Sequence, residues 1–468
     1  MISYFKGILL SRLLVLILLF VAIRVPLIIL DIPLSLPELK YMVLGERLSG
    51  GATLYRDVYD STAPLAAIIY QLLDVAFGRN ILVYRLLASL ILFLQSMRFN
   101  SILNRNNIFS EKSFLPALLY FVFGSVFFEF DILSPMLLGT TFLIFAFSYL
   151  IVPTKEGSSN PKLFKAGFLM GLAALCHLPL LLFLLWAFLA LIFFAFNAFR
   201  SSLLLICGFL FPYAVGFTFF LYAEALPNFV QYNLLSAWRF YLELLLVPLD
   251  LIKILTIPVL FLSFSVFHAL IHAPTLNYQL KFLQLMLWWI GVALLVTIAG
   301  QNISAIAWLL FLPATAYFGT YFFLRSRRLW LTEPFFLALL SSILILRYSF
   351  LLPPTPYTKL DISRLLLHPD AKYAAIKNAH ILVLGDNVNY YAFNRAATPY
   401  INWQLAQEDF RRLNTYYAVF KIRRNISASA PEYIVDEAGL MPELMYKIPD
   451  LFSHYERIDN QQIYKRIR

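Results

Sequence analysis

Charged residues are scarce in this sequence: Asp, Glu, Lys and Arg together make up 13% of its 468 residues. A soluble domain normally carries about 25% charged residues, so a chain built only from soluble domains is excluded. The scarcity is also uneven, because it is concentrated in residues 9–352, whereas residues 353–468 have an ordinary soluble composition. We therefore expect a membrane domain over residues 1–352, followed by a soluble α/β domain over residues 353–468.

Cysteine is almost absent: the chain holds two, Cys176 and Cys207, both within apolar segments. Their number and placement exclude a disulfide framework and a cysteine-based metal cluster. The sequence also lacks a P-loop, a GxSxG turn and an HExxH pair. Gly385–Asp386–Asn387 follows a predicted strand but lacks the spaced glycines of a dinucleotide site, so we expect no nucleotide cofactor.

Apolar residues dominate instead, with 61% hydrophobic and 17% aromatic residues. Segments of about 17–22 apolar residues recur, which is the length needed to cross ~30 Å of hydrocarbon. The first of them, Leu9–Leu30, lacks a small-residue cleavage site and is predicted to be an uncleaved span. The eleven predicted spans are residues 9–30, 82–100, 113–128, 133–152, 166–179, 180–199, 202–223, 250–271, 283–299, 304–324 and 331–352.

One further apolar segment, Ala63–Phe77, decides the orientation. If it does not cross, Lys and Arg gather on one side, and the opposite loops receive little beyond Arg239. The positive-inside rule favours this arrangement, so Ala63–Phe77 is predicted to be a re-entrant or interfacial helix. The residues gathered on the cytoplasmic side are then Arg98, Arg105, Lys112, Lys155, Lys162, Lys165, Arg200, Lys281, Arg325, Arg327 and Arg328.

This orientation predicts a multi-pass protein of a bacterial inner membrane, with the N-terminus cytoplasmic and the C-terminal domain periplasmic. The cytoplasmic Lys and Arg also explain the net charge of +11, so we expect the lipid bilayer and no nucleic acid as partner. Three polar regions then share the periplasmic face: the first loop, residues 31–81, the turn Glu129–Asp131, and the segment Leu226–Pro248. A site at this face would meet substrates carried on lipids.

The first periplasmic loop has the densest set of polar side chains. Glu38, Tyr41 and Gly45 fall on helical spacing, and Gly50–Gly51 is a typical helix end. The following Leu54–Asp60 segment holds Arg56, Asp57 and Asp60. Two interpretations remain open: a loop that carries an active site, or a solvated amphipathic helix whose charges pair with one another.

The loop resembles the first periplasmic loop of GT-C-type membrane glycosyltransferases, which include protein mannosyltransferases and aminoarabinose transferases. The pattern runs from an acidic residue and a Tyr, through Gly-Gly and Leu-Tyr-Arg-Asp, to Pro-Leu and Tyr. The Gly-rich run from Ala166 to Pro179 and the C-terminal motifs HILVLGD, TPYINW, PEYIVD and IYKRI also resemble that family. The chain is similar, too, to uncharacterised bacterial inner-membrane proteins that share the loop.

The resemblance implies transfer of a sugar from a polyprenyl phosphate to a glycan, lipid or protein acceptor. The reaction needs a base to deprotonate the acceptor, and the family's usual base is an Asp that this sequence lacks. Glu38 is therefore the best candidate, with Asp57 and Asp60 as further candidates. The family usually has Asp-Glu where this sequence has Pro37–Glu38. Either Glu38 has taken over the catalytic role, or the protein is an inactive member that serves as a scaffold or accessory subunit for envelope proteins.

The remaining candidates would bind substrate. Arg24 and Arg347 lie within predicted spans, where arginine is expensive and usually faces a partner or a cavity, although Arg347 could also extend to the headgroups. Glu129 and Asp131 would position the acceptor or hold a divalent cation through oxygen ligands, or form a solvated turn. The full substrate-binding set is Arg24, Tyr41, Arg56, Arg85, Glu129, Asp131, His177 and Arg347.

The other hypotheses compete with this function. His177 is as well explained as a packing residue, and His268 and His272 lack the further ligand that a metal site needs. A transporter is disfavoured because no inverted repeat of span lengths is apparent. In the C-terminal domain we predict four strands: His380–Leu384, Tyr400–Trp403, Tyr433–Val435 and Gln462–Arg466.

Overall fold

The computed structural model describes residues 1–30, 32–151, 160–194, 198–236, 243–274, 276–300, 302–326, 329–351, 360–367, 370, 373, 376–458 and 462–467. Asp31, Lys155, Arg239, Arg327 and Arg328 lie outside these residues, as does the predicted boundary at 352–353. The chain forms two compact units. The first comprises residues 1–32, 82–215 and 238–364, and the second comprises residues 33–81, 216–237 and 365–468.

The described part of the chain is mainly α-helical. Its helices are α1 (Ile2–Phe5), α2 (Leu10–Ile29), α3 (Leu36–Ser49), α4 (Pro64–Phe77), α5 (Ile81–Arg105), α6 (Leu115–Phe123), α7 (Pro135–Leu150), α8 (Asn160–Cys176), α9 (Phe183–Phe194), α10 (Ala198–Tyr222), α11 (Leu226–Phe229), α12 (Pro248–Ile271), α13 (Asn277–Ala299), α14 (Leu312–Arg325), α15 (Leu329–Arg347), α16 (Trp403–Phe410), α17 (Tyr416–Ser427), α18 (Met441–Lys447) and α19 (Pro449–Phe452).

The strands form two sheets. They are β1 (Glu243–Leu244), β2 (Asn302–Ile303), β3 (His380–Leu384), β4 (Arg395–Ala396), β5 (Tyr433–Asp436), β6 (Tyr455–Ile458) and β7 (Ile463–Arg466). In the first unit, β1 and β2 pair in parallel. In the second unit, a five-stranded sheet has the order β4-β3-β5-β7-β6, in which β4, β3 and β5 are parallel and β7 and β6 are antiparallel.

Seven of the eleven predicted spans form helices that are long and apolar enough to cross a bilayer. Their bounds are Leu10–Ile29, Ile81–Arg105, Phe199–Tyr222, Pro248–Ile271, Asn277–Ala299, Ala305–Arg325 and Trp330–Arg347. These helices agree with the membrane prediction. The count of eleven is not reproduced, because the other four predicted spans form shorter helices.

Glycine and proline explain where two of these short helices, α6 and α8, end. The predicted span 113–128 contains α6 of nine residues, which ends at Gly124 and is followed by a 3-10 turn. Between the predicted spans 166–179 and 180–199, the helix is interrupted at His177, because Pro179 cannot continue α8. A 3-10 segment, Leu178–Leu182, then precedes α9. At 1.5 Å per residue, α8 with its 17 residues is about 26 Å long, slightly less than the ~30 Å hydrocarbon core.

Close approach of α8 and α10 depends on glycine. A Cβ atom added to Gly167 would collide with the main-chain carbonyl of Leu205, and one added to Gly208 would collide with that of Phe164. Gly171 lies one turn after Gly167, and its Cβ would meet the carbonyl of Phe209. This GxxxG spacing lets two membrane helices bring their backbones together. The Gly-rich run therefore has a packing role here.

We expect Gly208→Ala to lower the free energy of unfolding by about 1–3 kcal/mol, because the new methyl group must push α10 away from α8. Gly216→Ala in the same helix is the matched control, since nothing lies within 4 Å of its Cβ position. Replacing an unconstrained helical glycine should be neutral or stabilise by about 0.5–1 kcal/mol. Melting temperatures in detergent will compare the two variants, and equal changes would contradict the packing role.

The second unit joins the first loop to the C-terminal sheet. The main-chain amide of Leu36 donates to the carbonyl of Leu365 at 2.9 Å, and that of Tyr59 donates to Pro399 at 2.8 Å. Residues 31–81 were predicted to be a loop of the membrane domain. The structure instead groups residues 33–81 with the C-terminal residues in one compact unit.

Helix α4 corresponds to the segment Ala63–Phe77, which decided the predicted orientation. It has 14 residues, about 21 Å at 1.5 Å per residue, which is too short for a perpendicular crossing. It packs tightly against α3, because the Cβ position of Gly45 lies 2.7 Å from the carbonyl oxygen of Tyr70. The structure is thus compatible with a helix that does not cross, while the orientation of the chain stays a prediction.

Three of the four predicted C-terminal strands are present as β3, β5 and β7. Tyr400–Trp403 is not a strand, because Asn402 accepts the amide hydrogen of Gln404 and caps α16. The edge strands β4 and β6 were not predicted. Each is short, at two and four residues, and β6 carries charged residues that gave no apolar pattern.

Candidate functional site: a buried arginine and carboxylate cluster

Three charged side chains meet in the interior of the first unit: Arg24 on α2, Arg347 on α15 and Asp131 in a 3-10 turn between α6 and α7. Both arginines are fully buried and Asp131 is 3% exposed. Oδ1 of Asp131 accepts a hydrogen bond from Nη2 of Arg24. Oδ2 accepts one from Nη2 of Arg347 at 2.7 Å. The sequence singled out all three residues, and the structure brings them into contact.

Irregular backbone positions Arg347. Pro26 lies inside α2, where its ring crowds the carbonyl groups one turn earlier and removes a helical hydrogen bond. Near this proline, the carbonyl of Ile23 accepts Nε of Arg347 at 3.0 Å. Helix α6 ends at Gly124, and the next carbonyl, that of Ser125, accepts Nη1 of Arg347 at 3.1 Å. All three guanidinium nitrogens of Arg347 thus donate hydrogen bonds.

Glu129 lies in the same 3-10 turn, two residues before Asp131, and is fully buried. Because this helix has three residues per turn, side chains two residues apart point in different directions. The Glu129 carboxyl lies near the Ser304 side chain and the Ala305 amide, but neither makes a hydrogen bond of ordinary geometry with it. Burial raises the pKa of Glu129 to about 8, since these two neighbours lower it by less. Most Glu129 side chains are therefore protonated at neutral pH.

Buried polar atoms of both kinds lack partners around this turn. Nε and Nη1 of Arg24 and both carboxyl oxygens of Glu129 have no hydrogen-bond partner in the described part of the chain. Arg24 contacts this turn, because the carbonyl of Phe130, the residue after Glu129, accepts a hydrogen bond from its Nη2 at 2.8 Å. Buried polar groups are nearly always paired in native proteins, so the unpaired atoms of Arg24 and of Glu129 each indicate a place for a polar ligand or for water.

A divalent cation does not fit this arrangement. Both oxygens of Asp131 already accept hydrogen bonds from arginines, and these positive charges would repel a cation. Glu129 alone supplies too few oxygen ligands. Across the described residues, no three His, Cys, Asp or Glu side chains lie together in a way that could hold a metal ion. An anionic or hydroxylated ligand fits better than a metal.

Two other predicted substrate-binding residues belong to the first unit. Arg85 is buried and donates from Nη1 to the carbonyl of Ile32 at 3.0 Å. His177 follows α8, where its extended backbone begins the 3-10 segment, and its buried Nε2 has no partner among the described residues. The structure gives no contact between His177 and the arginine cluster, so its role stays a prediction.

In the second unit, Glu38 caps a helix. Its Oε2 accepts the main-chain amide of Ser35 at 3.0 Å and the Ser35 hydroxyl at 2.9 Å. The Ser35 oxygen in turn accepts the amide of Glu38, which completes a capping box at the start of α3. The predicted base is therefore buried, at 3% exposure, and contributes to helix stability as well.

The other predicted residues of the loop make separate contacts within the second unit. Tyr41 stacks on Tyr70, with ring centroids 4.9 Å apart. Arg56 and Asp57 form an exposed ion pair at 2.9 Å. Burial raises the pKa of Asp57, but hydrogen bonds from Arg56 and Thr53 outweigh this effect and lower it. In this part of the loop, the charges therefore pair with one another in solvent, as the second interpretation of the loop predicts.

Asp60 is half-buried and accepts the main-chain amide of Thr62 at 2.6 Å. Burial raises the pKa of Asp60, and its hydrogen bonds with Thr62 and the charge of Lys40 offset only part of that rise. A raised pKa suits a general base better than the lowered pKa of an exposed, paired carboxylate. Of the two further candidates for the base, Asp60 is therefore favoured over Asp57.

Sequence reasoning missed a buried polar cluster in the second unit. Nδ2 of Asn425 donates to the hydroxyl groups of Tyr59 and Tyr400, each at 3.0 Å. Nζ of Lys421 lies 4.8 Å from the centre of the Tyr59 ring and pairs with Asp409 at 2.8 Å. These residues come from the first loop and the C-terminal sequence. Their separation along the chain left no local pattern by which they could be found.

No protein-family model matches this chain, and neither does any curated protein or solved structure. Membership in the GT-C superfamily therefore stays a prediction from sequence motifs. The structure supports a coarser conclusion: this is a helical protein with a small C-terminal sheet, and its described residues include seven helices able to cross a bilayer by length and composition.

Proposed function

We propose that this chain is a GT-C-like glycosyltransferase that takes a sugar from a polyprenyl phosphate. The observation that carries the proposal is the buried cluster of Arg24, Asp131 and Arg347, with Glu129 in the same turn. Charges inside a membrane-spanning unit are expensive and usually functional. A purely structural cluster would be expected to satisfy its own hydrogen bonds, whereas Arg24 and Glu129 keep unpaired polar atoms.

The unpaired atoms indicate the chemistry of the ligand. Guanidinium donors such as Nε and Nη1 of Arg24 match the oxygens of a phosphate group. The carboxyl group of Glu129 can both accept and donate a hydrogen bond while it is protonated, as a sugar hydroxyl group requires. A sugar linked to a phosphate carries both kinds of partner in one molecule, and its polyprenyl chain suits a protein whose helices lie in lipid.

In the proposed reaction, an acceptor hydroxyl oxygen forms a bond to the anomeric carbon of the sugar. The bond between that carbon and the phosphate oxygen breaks, and the polyprenyl phosphate leaves with the electron pair. Arginine side chains stabilise the charge on the leaving phosphate. A carboxylate takes the proton of the acceptor hydroxyl group. We assign this base role to Glu38, the acid that follows the position of the family's usual Asp, with Asp60 as the second candidate.

The proposed setting follows from the charge distribution of the loops. The enzyme would lie in a bacterial inner membrane, with eleven membrane segments, a cytoplasmic N-terminus and its catalytic face in the periplasm. Its partners would be the bilayer, the polyprenyl-linked sugar, and a glycan, lipid or protein acceptor. The four shorter apolar helices would complete the eleven segments by crossing where the bilayer is locally thin.

A second candidate function is a catalytically silent scaffold or accessory subunit for envelope proteins. One observation favours it: the Glu38 carboxylate accepts two hydrogen bonds from Ser35, so a capping role alone could account for this residue. Pro37 stands where the family usually has an Asp, which agrees with a lost catalytic function. The two candidates share one architecture and differ in whether Glu38 is needed for activity.

We expect Glu38→Gln to lower transfer activity by about 10²–10⁴-fold, the usual contribution of a general base. The substitution isolates the chemical role, because the Gln carbonyl oxygen can still accept both hydrogen bonds from Ser35 and preserve the capping box. Each variant is expressed in cells that lack the native protein. The amount of surface glycan and glycolipid in these cells measures activity. Glu46→Gln, on the same helix, is the matched control and should retain activity.

Three outcomes separate the candidates. Loss of the glycan in the deletion and in Glu38→Gln, but not in Glu46→Gln, supports the enzyme. Loss in the deletion alone, together with stoichiometric partners that co-purify with both variants, supports the scaffold. Unchanged glycans in the deletion as well as in Glu38→Gln would argue against any role in glycosylation.

A further inference from the structure

Helix α17 of the second unit has an unusual exposed face. Tyr416 and Tyr417 are 85% and 74% exposed, and Phe420 is 52% exposed. Exposed large aromatic side chains are costly in water when they gather on one surface, and such patches mark interaction sites. Two of these rings also lie side by side, because Tyr416 and Phe420 are stacked with centroids 6.5 Å apart.

The helical spacing places these rings opposite the core. Ala418, Ile422 and Ile426 are buried at intervals of four residues and fix the inner face of α17. At 100° per residue, Tyr416, Tyr417 and Phe420 therefore lie on the outer face. Helix α17 thus carries apolar side chains on two faces. Packing within the unit explains only those on the inner face.

Arginine is frequent on and just before this helix. Four arginines are exposed on α17 or in the turn before it: Arg411, Arg412, Arg423 and Arg424. Arg423 pairs with the exposed Asp450 at 2.6 Å, and an exposed pair of this kind is weak. Lys421, in contrast, is bound to Asp409. Three exposed arginines, Arg411, Arg412 and Arg424, therefore add positive charge to α17 and the turn before it.

We propose that this face of α17 binds the anionic headgroup region of the bilayer in which the chain's own helices are embedded. Tyrosine and phenylalanine beside arginine form the usual composition of a membrane-interface surface, since the rings enter the acyl boundary and the cations meet lipid phosphates. A protein partner fits less well, because the centre of a protein interface is normally depleted of charge. The helices that anchor the chain hold α17 at a high local concentration near lipid.

Lipid binding by this surface does not require the proposed sugar-transfer activity. Its function would be to hold α17 at the lipid surface. Each arginine near an anionic surface strengthens binding about fivefold, so the contact should depend on lipid charge and on salt.

Photocrosslinking tests the proposal on the full chain. p-Benzoylphenylalanine is placed at Phe420, or at Tyr446 as the matched control, and the protein is reconstituted in nanodiscs of phosphatidylglycerol or of phosphatidylcholine. Tyr446 is equally suitable for labelling because it is 80% exposed on α18 of the same unit. We expect lipid adducts, detected by mass spectrometry, at position 420 in phosphatidylglycerol and few at position 446.

Removal of charge is the second arm of the test. Arg412→Ser together with Arg424→Ser should lower the ratio of docked to undocked α17 by about 25-fold, if each arginine contributes about fivefold. Both residues are exposed, so these variants should fold, and unchanged melting temperatures would verify it. Equal lipid adducts at positions 420 and 446, adducts only to a second protein chain, or yields that ignore lipid charge would each overturn the proposal.

Discussion

Asp131→Asn should destabilise the first unit by about 3–5 kcal/mol, the usual consequence of removing one partner of a buried ion pair. The Asp131 carboxylate is the shared counter-charge of two fully buried arginines, Arg24 and Arg347. An asparagine of the same size leaves both positive charges in a low-dielectric interior without compensation. Reversible unfolding in mixed micelles or in bicelles would measure the loss of free energy of unfolding.

A matched control distinguishes burial from charge alone. Asp450→Asn removes the carboxylate of an exposed pair with Arg423, whose side chains are 51% and 58% exposed, respectively. Such pairs contribute about 0.2–1 kcal/mol, so this variant should behave almost like the native protein. A similar loss of stability in both variants would contradict the interpretation that the Asp131 cluster is a buried, interdependent charge network.

The same cluster allows stability and function to be separated. The triple variant Arg24→Met, Arg347→Met and Asp131→Leu removes all three charges together, and such replacements are often neutral or stabilising by about 1–4 kcal/mol. If the arginines serve only the fold, the triple variant should be stable and active. If they hold the phosphate of the donor, it should be stable and inactive, which is the result that we expect.

The contribution of Glu129 to stability should fall by roughly 5 kcal/mol as pH rises from 4.5 to 8. Its pKa is raised from the ordinary 4.5 to about 8, mainly by burial. A carboxyl group with a raised pKa in the folded state binds its proton more tightly there than in the unfolded state. Its stabilising contribution is complete below about pH 4.5 and is lost at about 1.4 kcal/mol per pH unit until pH 8.

Glu129→Gln isolates this effect, because glutamine resembles the protonated acid and does not titrate. The difference in free energy of unfolding between the native protein and the variant should grow in favour of the variant from pH 5 to pH 8. Glu456→Gln, at an exposed position, should leave the pH dependence unchanged. Parallel pH profiles for the native protein and Glu129→Gln would show that Glu129 is already ionised in the folded state.

The sequence predicted those features that depend on local pattern. Long apolar runs such as Leu10–Ile29 and Pro248–Ile271 are helical, because hydrocarbon cannot satisfy unpaired backbone groups in any other single segment. Strands β3 and β5 were predictable because continuous apolar runs bounded by polar residues favour buried strands. The edge strands β4 and β6 lacked such a run and were missed.

The candidate site was predicted as a list of residues but not as an arrangement. An arginine within an apolar span is visible in the sequence because of its cost in lipid, so Arg24 and Arg347 could be identified. That both would pair with one carboxylate could not be known, since Asp131 is separated from them by 107 and 216 residues. The capping role of Glu38 was local, and Ser35 three residues earlier was the available signal.

The sequence by itself determined the division into membrane-type and soluble composition, because hydrophobic burial in lipid or in a core is recorded residue by residue. The tertiary structure alone decided which distant groups share a space. It joined residues 33–81 to the C-terminal sheet, and it brought two arginines to one aspartate. Both results arise from packing and from the pairing of buried polar groups, which act between residues far apart in the chain and leave no periodicity in the sequence.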